Sequence, residues 1–276
     1  IFGRFFNNSS IWTLTPPALT VAGPFVQDLS VLKTSSGVDV IVVFDKSVSM
    51  AIADVAPSRH DVATRIVKDF VSSAALQAND RVTFFTFSDR SNWRMPFSED
   101  KNELLAHLED VEHPLDRTYI DQGQRYTNIA AVLKHIPECL DVFDSFFQRP
   151  LVAVRQSIDA YPRAIVMVTD GDDSSEEEMA ESLKELYKRR IPVYIIGVGT
   201  PTGGRAMLRF RTESGTPPFE VVRVESALEK AVLEDIAQKT GGDVHVVTSR
   251  NHYAQSFLAT AIASVRDGSP RLVPTK

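Results

Sequence analysis

Cysteine is almost missing from this chain of 276 residues: Cys139 is the single one. Within one chain, that excludes a disulfide framework, a cysteine-based zinc site and an iron–sulfur cluster. Set in Pro137-Glu138-Cys139-Leu140, the thiol reads as a structural side chain on a helix. Also missing is any apolar run of about 18 residues, the length that a membrane-crossing helix needs. There is no surplus of positive charge either. The 30 Lys and Arg face 36 Asp and Glu, for a net charge of −6, so a polyanion-binding footprint is not expected. The serines include no G-x-S-x-G nucleophile elbow. The histidines (His60, His107, His113, His135, His245 and His252) lack the spacing of metal ligands. Gly197-x-Gly199 followed by Gly203-Gly204 fits neither the dinucleotide fingerprint nor the P-loop, and reads as a strand-to-loop turn.

What the chain does contain is a regular alternation of strand and helix signals. Val38 to Phe44 is a nearly continuous apolar run, as expected of a strand buried on both faces. Pro57-Ser58 opens an amphipathic helix with Val62, Ile66, Phe70 and Ala74 at four-residue spacing. Arg81 to Phe87 reads as a strand and Asp100 to Val111 as a helix. Ile129 to Leu140 is helical, and Phe143 to Ala160 reads as a further helix with Phe143, Phe146, Phe147, Leu151, Val154 and Ile158 on one stripe. Ala164 to Val168 is the third buried strand, followed by a helix from Glu176 to Arg190. Pro192 to Val198 is the next strand, Leu228 to Thr240 a helix ending at Gly241-Gly242, Val244 to Val247 a last strand, and His252 to Val265 a closing helix.

Such alternation implies an α/β fold: a doubly wound, mostly parallel sheet with helices on both faces. In sheets of this kind ligands bind beyond the carboxyl ends of the strands. The fold is expected over residues 38–266. Residues 1–37 form an arm or a membrane-proximal segment, apolar over Ile11 to Phe25 but interrupted by Pro16, Pro17 and Pro24, and residues 267–276 form a tail. The chain opens on Ile1 instead of Met, as a processed or trimmed chain does.

The first strand runs into Asp45-Lys46-Ser47-Val48-Ser49, the third into Thr169-Asp170-Gly171, and Tyr126-Thr127-Asn128 stands in a loop just before a helix. Taken singly, each has a plain structural reading: a turn, a strand-to-turn pair, and an N-cap supplied by Thr127. Taken together, they bring carboxylates and hydroxyls to one sheet edge, and those are the hard oxygen donors that Mg²⁺, Mn²⁺ or Ca²⁺ prefer. The acidic run Asp172-Asp173-Ser174-Ser175-Glu176-Glu177-Glu178 reads as the acidic start of a helix, favoured by its dipole.

The arrangement resembles the von Willebrand factor type A (vWA) domain, a Rossmann-like fold, and its metal-ion-dependent adhesion site. The resemblance implies metal ligation by Asp45, Ser47, Ser49, Thr127 and Asp170, with the hydroxyls direct and the aspartates largely through water. It also implies a divalent cation, foremost Mg²⁺, whose shell a partner's Asp or Glu carboxylate completes. Further similarity to the bacterial aerotolerance (Bat) type of vWA protein lies in Met50 to Arg59, Phe87-Ser88 with Met95 to Asp100, Gly197 to Gly204, and Asp235 to Gly242. That type implies a domain on the periplasmic side of the bacterial inner membrane, encoded near MoxR-type ATPases. Lys46 and the Pro16-Pro17 stretch depart from the pattern. The function expected is a non-enzymatic, metal-dependent protein-binding module with no nucleic-acid partner. The alternatives are a hydrolase using the same metal, or a scaffold whose site is purely structural.

Overall fold

The computed structural model of the chain describes residues 37–111, 113–116, 120, 126–147, 161–173, 179–212, 217–249 and 253–268. All belong to one compact unit, Ser35–Lys276. The expected arm and most of the tail lie outside the described residues, as do Leu151, Val154 and Ile158 of the long apolar stripe and residues 174–178 of the acidic run.

Chain order gives β1 (Asp39–Asp45), a single 3-10 turn at Val48–Ala51, α1 (Arg59–Val71), β2 (Arg81–Phe87), β3 (Ser91–Ser98), α2 (Lys101–Glu109) and α3 (Ile129–Phe147). After these come β4 (Arg163–Thr169), α4 (Met179–Lys188), β5 (Val193–Val198), β6 (Gly204–Arg211), β7 (Phe219–Ser226), α5 (Lys230–Thr240), β8 (Val244–Val247) and α6 (Ala254–Arg266). Six strands make the main sheet in the order β3-β2-β1-β4-β5-β8, parallel except for β3, which runs antiparallel to β2. The expected α/β class and its mostly parallel sheet are present.

Side chains of β1 sort by parity, as a period of two requires. Val40, Val42 and Phe44 join a core with Ile66 of α1, Leu104 of α2 and Leu258 of α6. Ile41 and Val43 join the opposite core with Leu133 of α3, Leu183 of α4 and Leu233 of α5. Each such side chain contributes roughly 1.5–3 kcal/mol when fully buried, so β1, buried along its whole length, anchors both layers. Among the described residues, no helix is long and apolar enough to cross a membrane.

The described structure departs from the sequence expectations in three places. The strand β3 was not anticipated: it holds Pro96, and most of its residues are exposed or half-buried, so no apolar run marks it. The helix expected from Phe143 to Ala160 does not start afresh at Phe143: α3 runs unbroken through Pro137 to Phe147, and residues 148–160 lie outside the described residues. On α3 Phe143 is buried against Phe97, while Phe146 is 74% exposed and lies off the core stripe. Finally, the segment between β5 and α5 holds the antiparallel hairpin β6–β7, a small second sheet. Its inner face packs Leu208 and Phe210 against Val48 and Ala51 of the 3-10 turn, together with Ile120.

The Gly241-Gly242 pair ends α5 as expected, but its two members do different work. Gly241 sits at φ 81° with nothing within 4 Å of an added Cβ, so it supplies only a left-handed backbone. At Gly242 an added Cβ would fall 2.0 Å from the carbonyl oxygen of Val193, inside the backbone of β5. Gly241→Ala should therefore lower the unfolding free energy by about 1–2 kcal/mol, and Gly242→Ala by more, as read by urea denaturation.

Candidate metal centre

The strand order runs outward from β1 in one direction and from β4 in the other, so a topological switch point lies between them. The crevice that such a point opens is flanked by the last residue of β1, Asp45, and by Asp170, which directly follows β4. Both carboxylates are fully buried. Pairing of Phe44 with Val168 brings Thr169 beside Asp45, and the Thr169 hydroxyl donates to Asp45 Oδ2 at 2.6 Å. The Ser47 amide donates to Asp45 Oδ1 at 2.8 Å, and the Ser47 and Ser49 hydroxyls share a hydrogen bond of 2.9 Å. Hydrogen bonding from Ser49 also reaches Asp170. Four of the five expected residues, Asp45, Ser47, Ser49 and Asp170, thus form one buried polar cluster.

The fifth, Thr127, is buried and lines an open cleft of about 280 Å³ together with Ser49, Tyr126 and Asp172. The N-cap reading of Thr127 is corrected: Asn128 caps α3, its Oδ1 accepting from the Ala131 amide at 2.8 Å. Two hydrogen bonds fix this loop, from the Asn128 amide to the Ser88 carbonyl (2.7 Å) and from the Ile129 amide to Asp173 Oδ1 (3.2 Å). Arg223 and Glu225 of β7 line the same cleft.

Sequence reasoning gave no role of its own to Arg59, at the start of α1. Its side chain is wholly buried, and all three guanidinium nitrogens donate. Nε and Nη2 grip Asp54 in a fork (2.9 and 2.8 Å), Nη1 reaches Asp170 Oδ2 at 2.6 Å, and Nη1 and Nη2 hold the Ser226 hydroxyl and carbonyl at 3.0 Å each. Asp54 in turn accepts from the amide and the hydroxyl of Thr200. Gly199 makes room for this: at φ 146°, an added Cβ would lie 3.0 Å from Arg59 Nε. An arginine opening an amphipathic helix carries no sequence signal of burial, because its partner Asp170 stands 111 positions away.

Electrostatics follow from burial. Loss of water raises the Asp45 pKa to about 7, helped by the charge of Asp170, against the hydrogen bonds from Thr169 and Ser47. Asp170 is also raised by burial, with the Arg59 charge opposing. Burial would raise Asp54 too, but the hydrogen bonds from Arg59 and Thr200 hold it below its ordinary value.

Among the described residues, no group of three or more His, Cys, Asp or Glu is placed to hold a metal ion. Any cation here depends on hydroxyls as well as carboxylates. Two buried carboxylates, with the Arg59 guanidinium bonded to Asp170 and shared with Asp54, beside the Ser49 and Thr127 side chains that line a cleft, fit a hard divalent ion: oxygen donors throughout and negative charge still uncompensated.

Two serine–histidine contacts elsewhere are structural. His113 Nδ1 accepts from the Leu115 amide, so Nε2 carries the proton and donates to Ser58 Oγ at 2.9 Å. Ser58 passes its own hydrogen to Asp61 and caps α1. His135 links Ser91 to Cys139, whose thiol burial pushes up to about 11, so Cys139 is the structural helix thiol expected.

Residues 39–259 match the family model of the von Willebrand factor type A domain. An uncharacterized protein of Borreliella burgdorferi is 24% identical over 228 residues, covering 80% of this chain and 57% of that protein, so the chain spans little more than half of that relative's length. The crystal structure of the conserved hypothetical protein BatB from Bacteroides thetaiotaomicron superposes with a TM-score of 0.61 at 24% identity, over 84% of this chain and all of that one. An aerotolerance-related membrane protein from Bacteroides fragilis, carrying multiple mutations to serines, gives 0.59 at 22% identity, over 84% of this chain and again the whole of the other. At such identities the likeness establishes the fold.

The raised Asp45 sets a pH dependence. Between its ordinary value of 3.8 and about 7, the folded protein holds a proton that the unfolded chain has released. That stability is fully present below pH 3.8 and is lost as the pH rises through about 7. Without divalent cations, the unfolding free energy of the native chain should therefore fall across this window relative to Asp45→Asn. Parallel urea-denaturation profiles for the two proteins would refute the assignment. Arg59→Ala leaves two buried carboxylates unpaired and should cost about 3–5 kcal/mol. Arg59→Lys should recover only part of the loss, because an ammonium cannot fork onto Asp54.

Proposed function

The chain belongs to the von Willebrand factor type A domain family, and on that premise we propose that it is a metal-dependent protein-binding module that takes an acidic group of its partner through a divalent cation. The observation that carries this reading is the buried cluster of Asp45, Asp170, Ser47 and Ser49, from which Ser49 reaches an open cleft that Thr127 also lines. The hydroxyls of Ser47, Ser49 and Thr127 are the direct ligands. Asp45 and Asp170 are already engaged by the Ser47 amide, Thr169, Arg59 and the Asp172 amide, which suits carboxylates acting through water. When bound, the cation supplies the missing positive charge and a coordination position for a partner's Asp or Glu carboxylate. Neutral hydroxyls leave that cation electron-poor, so an anionic ligand is favoured over a neutral one.

Mg²⁺ is the foremost cation on the hardness of the donors, with Mn²⁺ and Ca²⁺ as alternatives. We place the chain with the Bat-type vWA proteins, acting by binding and not by catalysis. The placement is supported by the sequence similarity from Met50 to Arg59 and by a fold shared with BatB. It carries with it the periplasmic side of a bacterial inner membrane and a complex linked to a MoxR-type ATPase.

Calorimetric titration with Mg²⁺ or Mn²⁺ tests the centre. The native chain should bind one ion, Asp45→Ala should bind none, and Ser49→Ala should bind at least about tenfold more weakly, or about 1.4 kcal/mol. A native chain that gives no heat and no Mn²⁺ paramagnetic broadening near Ser49 would overturn the proposal.

A further inference from the structure

The hairpin β6–β7 has an outer face that the proposed centre does not use. Register pairs Arg205 with Glu225, Met207 with Arg223, Arg209 with Val221, and Arg211 with Phe219, and all eight are exposed. The residues between them, such as Leu208, Phe210 and Val224, point the other way into the small core under the hairpin. The outer face therefore carries four arginines and one glutamate, on a chain whose net charge is −6. Between those charges, Met207 and Val221 are 58% and 55% exposed, and Phe219 lies beneath the Arg209 guanidinium at 5.2 Å. A face this basic and this apolar, on an otherwise acidic chain, complements a ligand of the opposite pattern.

We infer that the outer face of β6–β7 docks a protein segment that mixes acidic and apolar side chains. The face is continuous with the cleft, because Arg223 and Glu225 of β7 also line it beside Ser49 and Thr127. A segment lying on the face thus has one end at the candidate cation. The cleft admits a side chain and not a flat bilayer surface, which favours a protein segment over anionic lipid. The inference rests on the proposed function in taking a protein as ligand, but the arginine face works with or without the cation. Exposed arginines attract acidic groups over about 8 Å at physiological salt, so docking weakens as salt rises. Guanidinium groups add forked hydrogen bonds to carboxylates and stacking on aromatic rings.

The test is fluorescence anisotropy with a labelled peptide that alternates Glu and Leu, and with its counterpart carrying Lys for Glu. Phosphatidylserine vesicles are assayed alongside by co-sedimentation. The variants are Arg205→Glu/Arg209→Glu, whose side chains are exposed and lie outside the centre, and Ser49→Ala; circular dichroism checks that each is folded. The expected result is binding of the acidic peptide alone, weakening with salt and at least tenfold weaker in the double reversal. Three results would overturn the inference: no binding at low salt, binding unchanged by the reversal, or binding of vesicles in place of peptide. If EDTA leaves peptide binding intact while the reversal abolishes it, the arginine face stands and the cation reading loses support. If EDTA abolishes binding that the reversal leaves intact, the cation reading stands and the inference falls.

Discussion

Two carboxylates buried side by side at the ends of adjacent strands are the constraint around which this domain is arranged. Water no longer screens Asp45 from Asp170, and each disfavours the charge of the other. Arg59 supplies an internal counter-charge on the Asp170 side. Arg59 in turn needs Asp54 to hold its fork, Thr200 to hold Asp54, and a glycine at 199 to leave it space. Loops following β1, β4, β5 and β7 are thus committed to one electrostatic problem, which the protein leaves half solved. The unsolved half is the part that the proposed cation would answer.

The sheet and its helices hold that problem still, and the hairpin gives it an environment. Β-strand ends are rigid platforms because β1 is paired on both sides and packed on both faces. The hairpin instead stands on a small core of its own, seated on the 3-10 turn that carries Ser49. Ser226, where β7 ends, is held by Arg59 itself. The same guanidinium therefore steadies the carboxylate of the centre and the root of the surface beside it. Common chemistry at the sheet edge and particular chemistry on the hairpin is a division that suits loop-borne specificity on a shared scaffold.

Much of this was legible in the residues. Continuous apolar runs marked β1, β2, β4 and β5, because strands buried on two faces need no polar alternation. The five oxygen donors could be read because each stands next to such a strand or next to a helix start. The hairpin went unseen for the opposite reason. Gly204 to Arg211 does alternate Ala206, Leu208 and Phe210 with Arg205, Arg209 and Arg211, but the glycines at its start carry a loop signal that masks the period. The edge strand β3 hides its period behind Pro96 and a shift of register against β2. Arg59 was invisible in principle: its burial depends on an ion pair made by tertiary folding, and no local pattern encodes that. Thr127 and Asn128 show the same limit at one-residue scale, since either type caps a helix and only the folded loop assigns the task.

The five-fold grip of Arg59 makes its surroundings a single thermodynamic unit. Asp54, Asp170 and Ser226 are joined through one side chain, and Thr200 through Asp54, so the cost of altering any of them depends on which others are intact. Energies assigned to these positions one at a time will not sum. Substitutions here are epistatic by construction, and a change at Asp54 has a different cost once Arg59 is gone, because Asp54 then keeps only its hydrogen bonds from Thr200. Divergence at this corner of the domain is therefore expected to proceed by joint replacement, with the positions drifting as a set.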